Sequence, residues 1–236
     1  RLLSERYNVV MTPGNFNTTL GVVRTIREHL KPHHEVFIVE MGAKQRGDIK
    51  EICDLVQPMV GIVTSVGEMH LETFGTVENI ARTKFELVDA VGAKGLAVVN
   101  IDSEAACRHL KEHNIRATTY GIESVDADYR ASEVCYSQLE TTFNLKHGDR
   151  VDEGFVAHIL GRGNILNITA ALAVAEHLGV TVAECRRAVK QIEQVEHRLS
   201  MRCGGGVTIL DDAYNSNPAG ARMALEVLAG FATSGC

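Results

Sequence analysis

Short apolar runs alternate with helix-periodic segments through the first two thirds of the chain, and this restricts the fold more than any other feature. "EVFIVEMG", "MVGIVTSV" and "GLAVVNID" read as strands buried on both faces. Between and after them, "GDIKEICDLVQ", "TVENIARTKFELVDAVG" and "SEAACRHLKEHN" repeat their apolar residues at the spacing of one helix face. Strand and helix in repetition predict an α/β fold: a doubly wound, mostly parallel sheet wrapped by helices.

From about Ala117 to Leu160 the pattern changes to short strands, "RATTYGI", "ADYRASEVCYS", "TTFNLKHG" and "GFVAHIL", separated by turns. These predict an antiparallel extension of the sheet. Helices then return. "NILNITAALAVAEHLG" closes at Gly179, and "TVAE" opens the next helix as a capping box, with Thr181 as N-cap and Glu184 at the third helical position. A further strand, "GGVTILDD", precedes a helix with Asn217 as N-cap and Pro218 as its first residue.

A chain of 236 residues that is 45% hydrophobic and 23% charged can bury a full core. It has no run of about 18 apolar residues, and "RLLSERYNVVMTPG" lacks the pattern of an export signal, so the sequence predicts no membrane span. The six cysteines form no C-x-x-C pair and read as reduced cytosolic thiols. A net charge of −6 with interspersed signs argues against nucleic-acid binding, so an anionic ligand requires local devices.

In open parallel sheets ligands bind beyond the carboxyl ends of the strands. Glu40 follows "VFIV", His70 lies shortly after "GIVTSV", and Asp211 and Asp212 follow "VTIL". Converging oxygen and nitrogen donors of this kind suit a divalent cation such as Mg²⁺; taken singly, each is equally an ordinary polar residue at a strand end. In "MTPGNFNTTLG", Gly14 gives backbone freedom, and Asn15, Asn17, Thr18 and Thr19 are more short polar side chains than a helix cap requires. "RGD" at Arg46–Asp48 reads as a helix start with Asp48 in the first turn. The phosphate-wrapping pattern G-x-x-x-x-G-K-[ST] is absent.

"NIARTKFELVDAV" poses a separate problem, because Lys84 falls on the apolar stripe of Val77, Ile80, Leu87, Val88 and Val91. From the stripe alone its stem snorkels, carrying the charge to water. Burial also lowers a lysine's pKa, and the neutral amine that results can take up carbon dioxide as a carbamate.

With these residues assembled, the chain resembles the Mur ligases of bacterial peptidoglycan synthesis. The segments that carry the resemblance are "TPGNFNT", "VEMGAKQRGDI", "HLETFGTVENIARTKFEL", "GRGNILNITAALAVA", "VEHRL" and "ILDDAYNSNPAGA", in family order along nearly the whole chain. Among those ligases it is most like the members that join D-alanyl-D-alanine to UDP-N-acetylmuramoyl-tripeptide.

The resemblance implies an ATP-dependent amide-bond ligase, cytoplasmic and monomeric, with ATP and Mg²⁺ as cofactors. The tripeptide carboxylate would attack the γ-phosphate to give an acyl phosphate, which the amine of D-alanyl-D-alanine displaces. Residues 1–196 would be the central ATP-binding domain without its phosphate loop, and 197–236 the opening of a carboxyl-terminal lid. The resemblance makes Glu40, His70 and Lys84 metal-site residues, Lys84 as a carbamate. Lys84, His70 and Arg198 would be catalytic, and Asn164, Arg198 and Asp212 would bind the nucleotide. Thr12, Asn15 and Asn17 would meet the peptide end of the nucleotide substrate.

Two positions depart from the family. Gly163 stands where a histidine usually precedes the adenine-contacting asparagine, and "NTTLG" replaces paired asparagines. From the residues alone, Asn164 serves equally as a helix cap, and Arg198 as a surface partner of Glu193 or Glu196. Other readings are a folylpolyglutamate-type ligase or a non-catalytic binding module. Glu40 and His70 are expected within metal-bridging distance on neighbouring strands.

Overall fold

The computed structural model describes residues 1–67, 71–137, 140–214 and 218–233. After a 3-10 turn at Leu2–Glu5, strand β1 (Val9–Met11) crosses over through helix α1 (Thr19–Glu28) to pair in parallel with β2 (Val36–Ile38). Helix α2 (Asp48–Val56) leads to β3 (Val60–Val63), the short α3 (Leu71–Phe74), α4 (Val77–Val91), β4 (Leu96–Asn100), α5 (Glu104–Glu112) and β5 (Thr118–Gly121). Strands β3, β4 and β5 lie side by side in parallel, and β6 (Tyr129–Tyr136) continues the direction. β7 (Thr141–His147) and β8 (Arg150–Ala157) then add an antiparallel meander, completing a six-stranded sheet. Helices α6 (Arg162–His177) and α7 (Val182–Lys190) follow. The hairpin β9 (Ser200–Gly204) and β10 (Val207–Asp211) forms a separate sheet before α8 (Pro218–Thr233).

β4 shows why its sequence is apolar without alternation. Its Ala97 and Val99 pack with Val63, Ile80, Phe85, Val88 and Leu110, beneath α4 and α5. Val98 points the other way and packs with Tyr120 and with Ala170, Ala173 and Val174 of α6. Helices therefore cover both faces of this strand, as expected of a doubly wound α/β sheet. The capping box at Thr181 and Glu184 is formed, and Asp48 opens α2.

Close approach of α4 to β3 depends on Gly61. A Cβ there would stand 2.9 Å from Leu87 Cγ and 3.0 Å from Val91 Cγ2. Gly61→Val is therefore expected to lower the unfolding free energy by about 1–3 kcal/mol in urea titration, the usual cost of overpacking.

The structure differs from the sequence reading in several places. β2 pairs with β1, whereas β3 pairs with β4 in the six-stranded sheet, so the strands carrying Glu40 and leading to His70 are not hydrogen-bonded neighbours. Their apolar runs are equally suited to either pairing, so the pattern carries no information about order. Antiparallel pairing begins only at β6–β7, since β5 is parallel to both its neighbours. β8 starts at Arg150, earlier than "GFVAHIL" suggests. The two-residue turn at Gly148 and Asp149 pairs His147 directly with Arg150, and the charged run is drawn into the ladder. α6 starts at Arg162 with Gly161 as N-cap, so Asn164 is inside the helix and is not its cap. β9 has no counterpart among the strands expected from the sequence. Asn217 lies outside the described residues.

Candidate functional site

Beyond the carboxyl ends of β1 and β2, three expected residues come together. Thr12 is buried, and its Oγ1 accepts a hydrogen bond from the Glu40 backbone N–H at 3.1 Å. Asn17 Nδ2 donates to Glu40 Oε1 at 3.4 Å, and its backbone carbonyl accepts from Gly42 N–H at 2.7 Å. Gly42 permits this contact, because a Cβ would stand 3.0 Å from the Asn17 side chain. Glu40 remains exposed. Asn15 is exposed, and Thr18 is used as the N-cap of α1, accepting from Gly21 N–H.

Lys84 points to the end of β3. It is half-buried on α4, and its Nζ donates to the Ser65 carbonyl just past the strand. Burial lowers its pKa, with no carboxylate among the causes. His70 lies outside the described residues, and so does any distance from it to Glu40 or Lys84.

The segment that receives Lys84 is held by residues that the sequence reading passes over. Asn100 Nδ2 donates to the Thr64 carbonyl at 2.6 Å, and the Ser103 hydroxyl donates to the Val66 carbonyl and accepts from its N–H. Asp102 is deeply buried and accepts from the backbone N–H groups of Ile122, Glu123 and Ser124 and from Arg162 Nη2. Burial disfavours its charge, but the backbone donors outweigh this and hold the carboxyl below its ordinary range. These residues follow the run "GLAVV" directly, so the strand-end rule that singles out Glu40 applies to them as well.

Two of the nucleotide candidates, Asn164 and Asp212, bond to residues of a second feature, the small apolar cluster of Leu160, Leu199 and Val227 with Met223. Asn164 Nδ2 donates to the Leu160 carbonyl at 2.7 Å, and Asp212 Oδ1 accepts from Leu199 N–H at 3.0 Å. Gly161 leaves the space that the Leu199 side chain enters, and Met223 Sδ faces the Gly163 N–H at 3.1 Å. A Cβ at Gly163 would stand 3.4 Å from Met223 Sδ and Cε, in ordinary contact with the methionine.

Arg198 does not pair with Glu193 or Glu196. Glu196 is taken by Arg202, and the Arg198 guanidinium lies over the Tyr214 ring at 4.2 Å. Arg198 stands between His197 and Leu199, both left-handed with φ of 61° and 51°. A bulky residue in that region is strained, and such strain gathers where a backbone must aim a side chain. Asp211 turns away to His197 Nδ1 at 2.8 Å.

The profile of the Mur ligase middle domain matches residues 1–175. The UDP-N-acetylmuramoyl-tripeptide–D-alanyl-D-alanine ligase of Mycobacterium tuberculosis (strain ATCC 25618 / H37Rv) is 32% identical over 233 residues, which are 98% of this chain and 45% of that protein. The structure of MurF from Acinetobacter baumannii aligns with a TM-score of 0.87 at 27% identity, covering 97% of this chain and 50% of its own. MurF ligase from Thermotoga maritima in complex with ADP aligns with a TM-score of 0.83 at 30% identity, covering 97% and 52%. The chain thus spans about half the length of the curated relatives it matches. The two-sided parallel sheet, the ordered segments and this match over most of its length settle its kinship: the chain belongs to the Mur ligase middle-domain family.

Proposed function

We propose that this chain is the catalytic middle segment of an ATP-dependent ligase that joins D-alanyl-D-alanine to UDP-N-acetylmuramoyl-tripeptide in the cytoplasm, acting as a monomer. The observation that carries the reading is the clustering of Thr12, Asn17 and Glu40 at one pair of strand ends, in a chain whose relatives at 27–32% identity bear that activity in their names. Those names favour the peptidoglycan substrate over folate. Residues 1–196 act as the central domain and 197–236 as the opening of a lid.

On this reading Asn164, Arg198 and Asp212 hold ATP, which is consumed as a substrate. Asn164 is hydrogen-bonded to the Leu160 carbonyl and Asp212 to the Leu199 N–H, and the side chains of Leu160 and Leu199 share one apolar cluster. Thr12, Asn15 and Asn17 orient the tripeptide end, with Thr12 fixing the Glu40 backbone. The exposed carboxylate of Glu40 is a hard oxygen donor that fits Mg²⁺, joined by His70 and Lys84. Bound there, Mg²⁺ would neutralise phosphate charge. Burial lowers the pKa of Lys84, the direction that favours carbamylation, and a carbamate there would supply a further pair of oxygens. Arg198 offers a fixed positive charge to the transferred phosphoryl group. No Ser-His-Asp nucleophile is required, because the carboxylate of the substrate itself attacks.

The phosphates also need backbone donors and a lysine of the G-x-x-x-x-G-K-[ST] kind, which this sequence does not contain. The 236-residue chain alone is therefore expected to bind ATP weakly and to release no phosphate, whereas a protein of the relatives' full length is expected to bind ATP firmly and to release phosphate. Calorimetric nucleotide titration and a phosphate-release assay on the two proteins decide this. Turnover by the shorter chain would refute it.

A further inference from the structure

Three side chains of metal-ligand type converge between α4 and α5, and none belongs to the strand-end set. His109 and His113 stand one helical turn apart on α5 and its C-cap, and Glu78 comes from the first turn of α4. Glu78 Oε1 is 3.4 Å from His109 Nδ1 and 4.0 Å from His113 Nε2, and the three ligand atoms lie within 4.8 Å of one another.

His109 is the second, independent observation. It is only 5% exposed, with its ring against Phe85 and His113 at centroid distances of 4.4 and 4.3 Å. Its Nδ1 is buried and has no hydrogen-bond partner among the described residues, although Glu78 Oε1 stands 3.4 Å away. A buried polar atom left unpaired is costly, and it calls for a partner.

Spacing selects the kind of partner. Ligands about 2.0–2.1 Å from a tetrahedral Zn²⁺ stand roughly 3.3–3.4 Å from each other, close to the Glu78–His109 separation. His113 is about half exposed at the helix end and needs only a small ring movement to close its longer gap. Two imidazoles and one carboxylate suit Zn²⁺ and its neighbours, whereas Mg²⁺ and Ca²⁺ favour oxygen throughout. The carboxyl end of α5 also carries partial negative charge toward a cation. Arg82 is the competitor: its Nε donates to Glu78 Oε1 at 3.0 Å. Arg82 is half exposed and can move to the other oxygen or to solvent.

We propose that Glu78, His109 and His113 form a Zn²⁺-class transition-metal site that ties α4 to α5, with water completing the coordination. The site is separate in chemistry from the Mg²⁺ site proposed above. Because α4 carries Lys84, occupancy would also stiffen the helix that presents it.

Zn²⁺ affinity is measured on the purified protein by competition with a chromophoric chelator, alongside Co²⁺ ligand-field absorption and thermal melting. The variants are Glu78→Gln and His113→Ala, both at partly exposed positions, with His33→Ala and Glu40→Gln as controls. The native protein is expected to bind one equivalent, to show tetrahedral Co²⁺ bands and to melt at a higher temperature with Zn²⁺. Glu78→Gln and His113→Ala should each weaken binding by at least roughly 100-fold, the upper figure for losing a ligand's own hydrogen-bond partner, and abolish the Zn²⁺-dependent rise in melting temperature. His33→Ala and Glu40→Gln should retain both. The proposal is overturned if the native protein binds no Zn²⁺, if Glu78→Gln and His113→Ala bind like native, or if Glu40→Gln is the variant that loses the ion.

Discussion

Lys84→Ala in a ligase of full length is expected to lower kcat by at least about 100-fold, the loss typical of removing one charge-stabilising group from a transition state. The fold should survive. Alanine is the best helix former, and the lysine's burial lowers its pKa, so removing it relieves a desolvated ammonium. Against this stands the hydrogen bond from Nζ to the Ser65 carbonyl, which alanine cannot make. Steady-state phosphate release with each substrate saturating measures kcat, and a thermal melt on the same sample reports the fold. Added bicarbonate should not restore the variant, because alanine has no amine to carbamylate. Near-normal turnover would mean that Lys84 only carries its charge past an apolar stripe.

The largest expected effect on stability belongs to Asp102. One carboxylate receives three backbone N–H groups from the β5–β6 connection and the Arg162 guanidinium at the start of α6, so it joins three elements. Asp102→Ala leaves those donors unsatisfied and deprives the guanidinium of this carboxylate. Each buried donor left unsatisfied costs about 1–3 kcal/mol, so the three N–H groups together cost about 3–5 kcal/mol, while Arg162, more than a third exposed, can turn to Glu123 and water. In a chain of this size that lowers Tm by roughly 6–20 °C.

The pH dependence of this contribution has a definite sign. Its folded pKa lies below the ordinary value, so the stabilisation is fully present above the unfolded carboxylate pKa of about 3.9 and is lost as pH falls through the folded value. Urea titrations of native and variant proteins should therefore differ most near neutrality and converge on acidification. A constant difference at every pH would assign the loss to packing. Gly121 supports the same network, since a Cβ there would stand 2.6 Å from Asp102 Oδ1.

Among the site residues, those legible as polar strand ends share one signal, a hydrophilic residue immediately after an apolar run. Glu40 is visible this way, and Asn100 and Asp102 obey the same rule. Lys84 is visible as a breach of helical periodicity. The resemblance assigns Asn164, Arg198 and Asp212, which come from separate segments, but the support of Asn164 on Leu160 and of Asp212 on Leu199 has no local signature. Glu78, His109 and His113 are not legible either. On their own helices each reads as a surface charge, and only the crossing of α4 and α5 brings them together.

What the sequence determined by itself was most of the elements, β9 and the short α3 excepted, and the two-sided burial of the parallel strands. Periodicity, capping residues and glycines act within a few residues, as at Thr181 and Glu184 or at the left-handed Gly179. Tertiary structure alone decided which strands are neighbours, placing β2 with β1 and β3 with β4 although all four runs are similarly apolar. It also decided where the charged run Arg150–Glu153 would go, and that Arg198 stacks on Tyr214 in place of pairing with Glu193 or Glu196. The physical reason is the same in each case. Hydrophobic patterning states how strongly a face avoids water, but not which other face it meets; that choice depends on chain crossings, volumes and hydrogen-bond partners far apart in sequence.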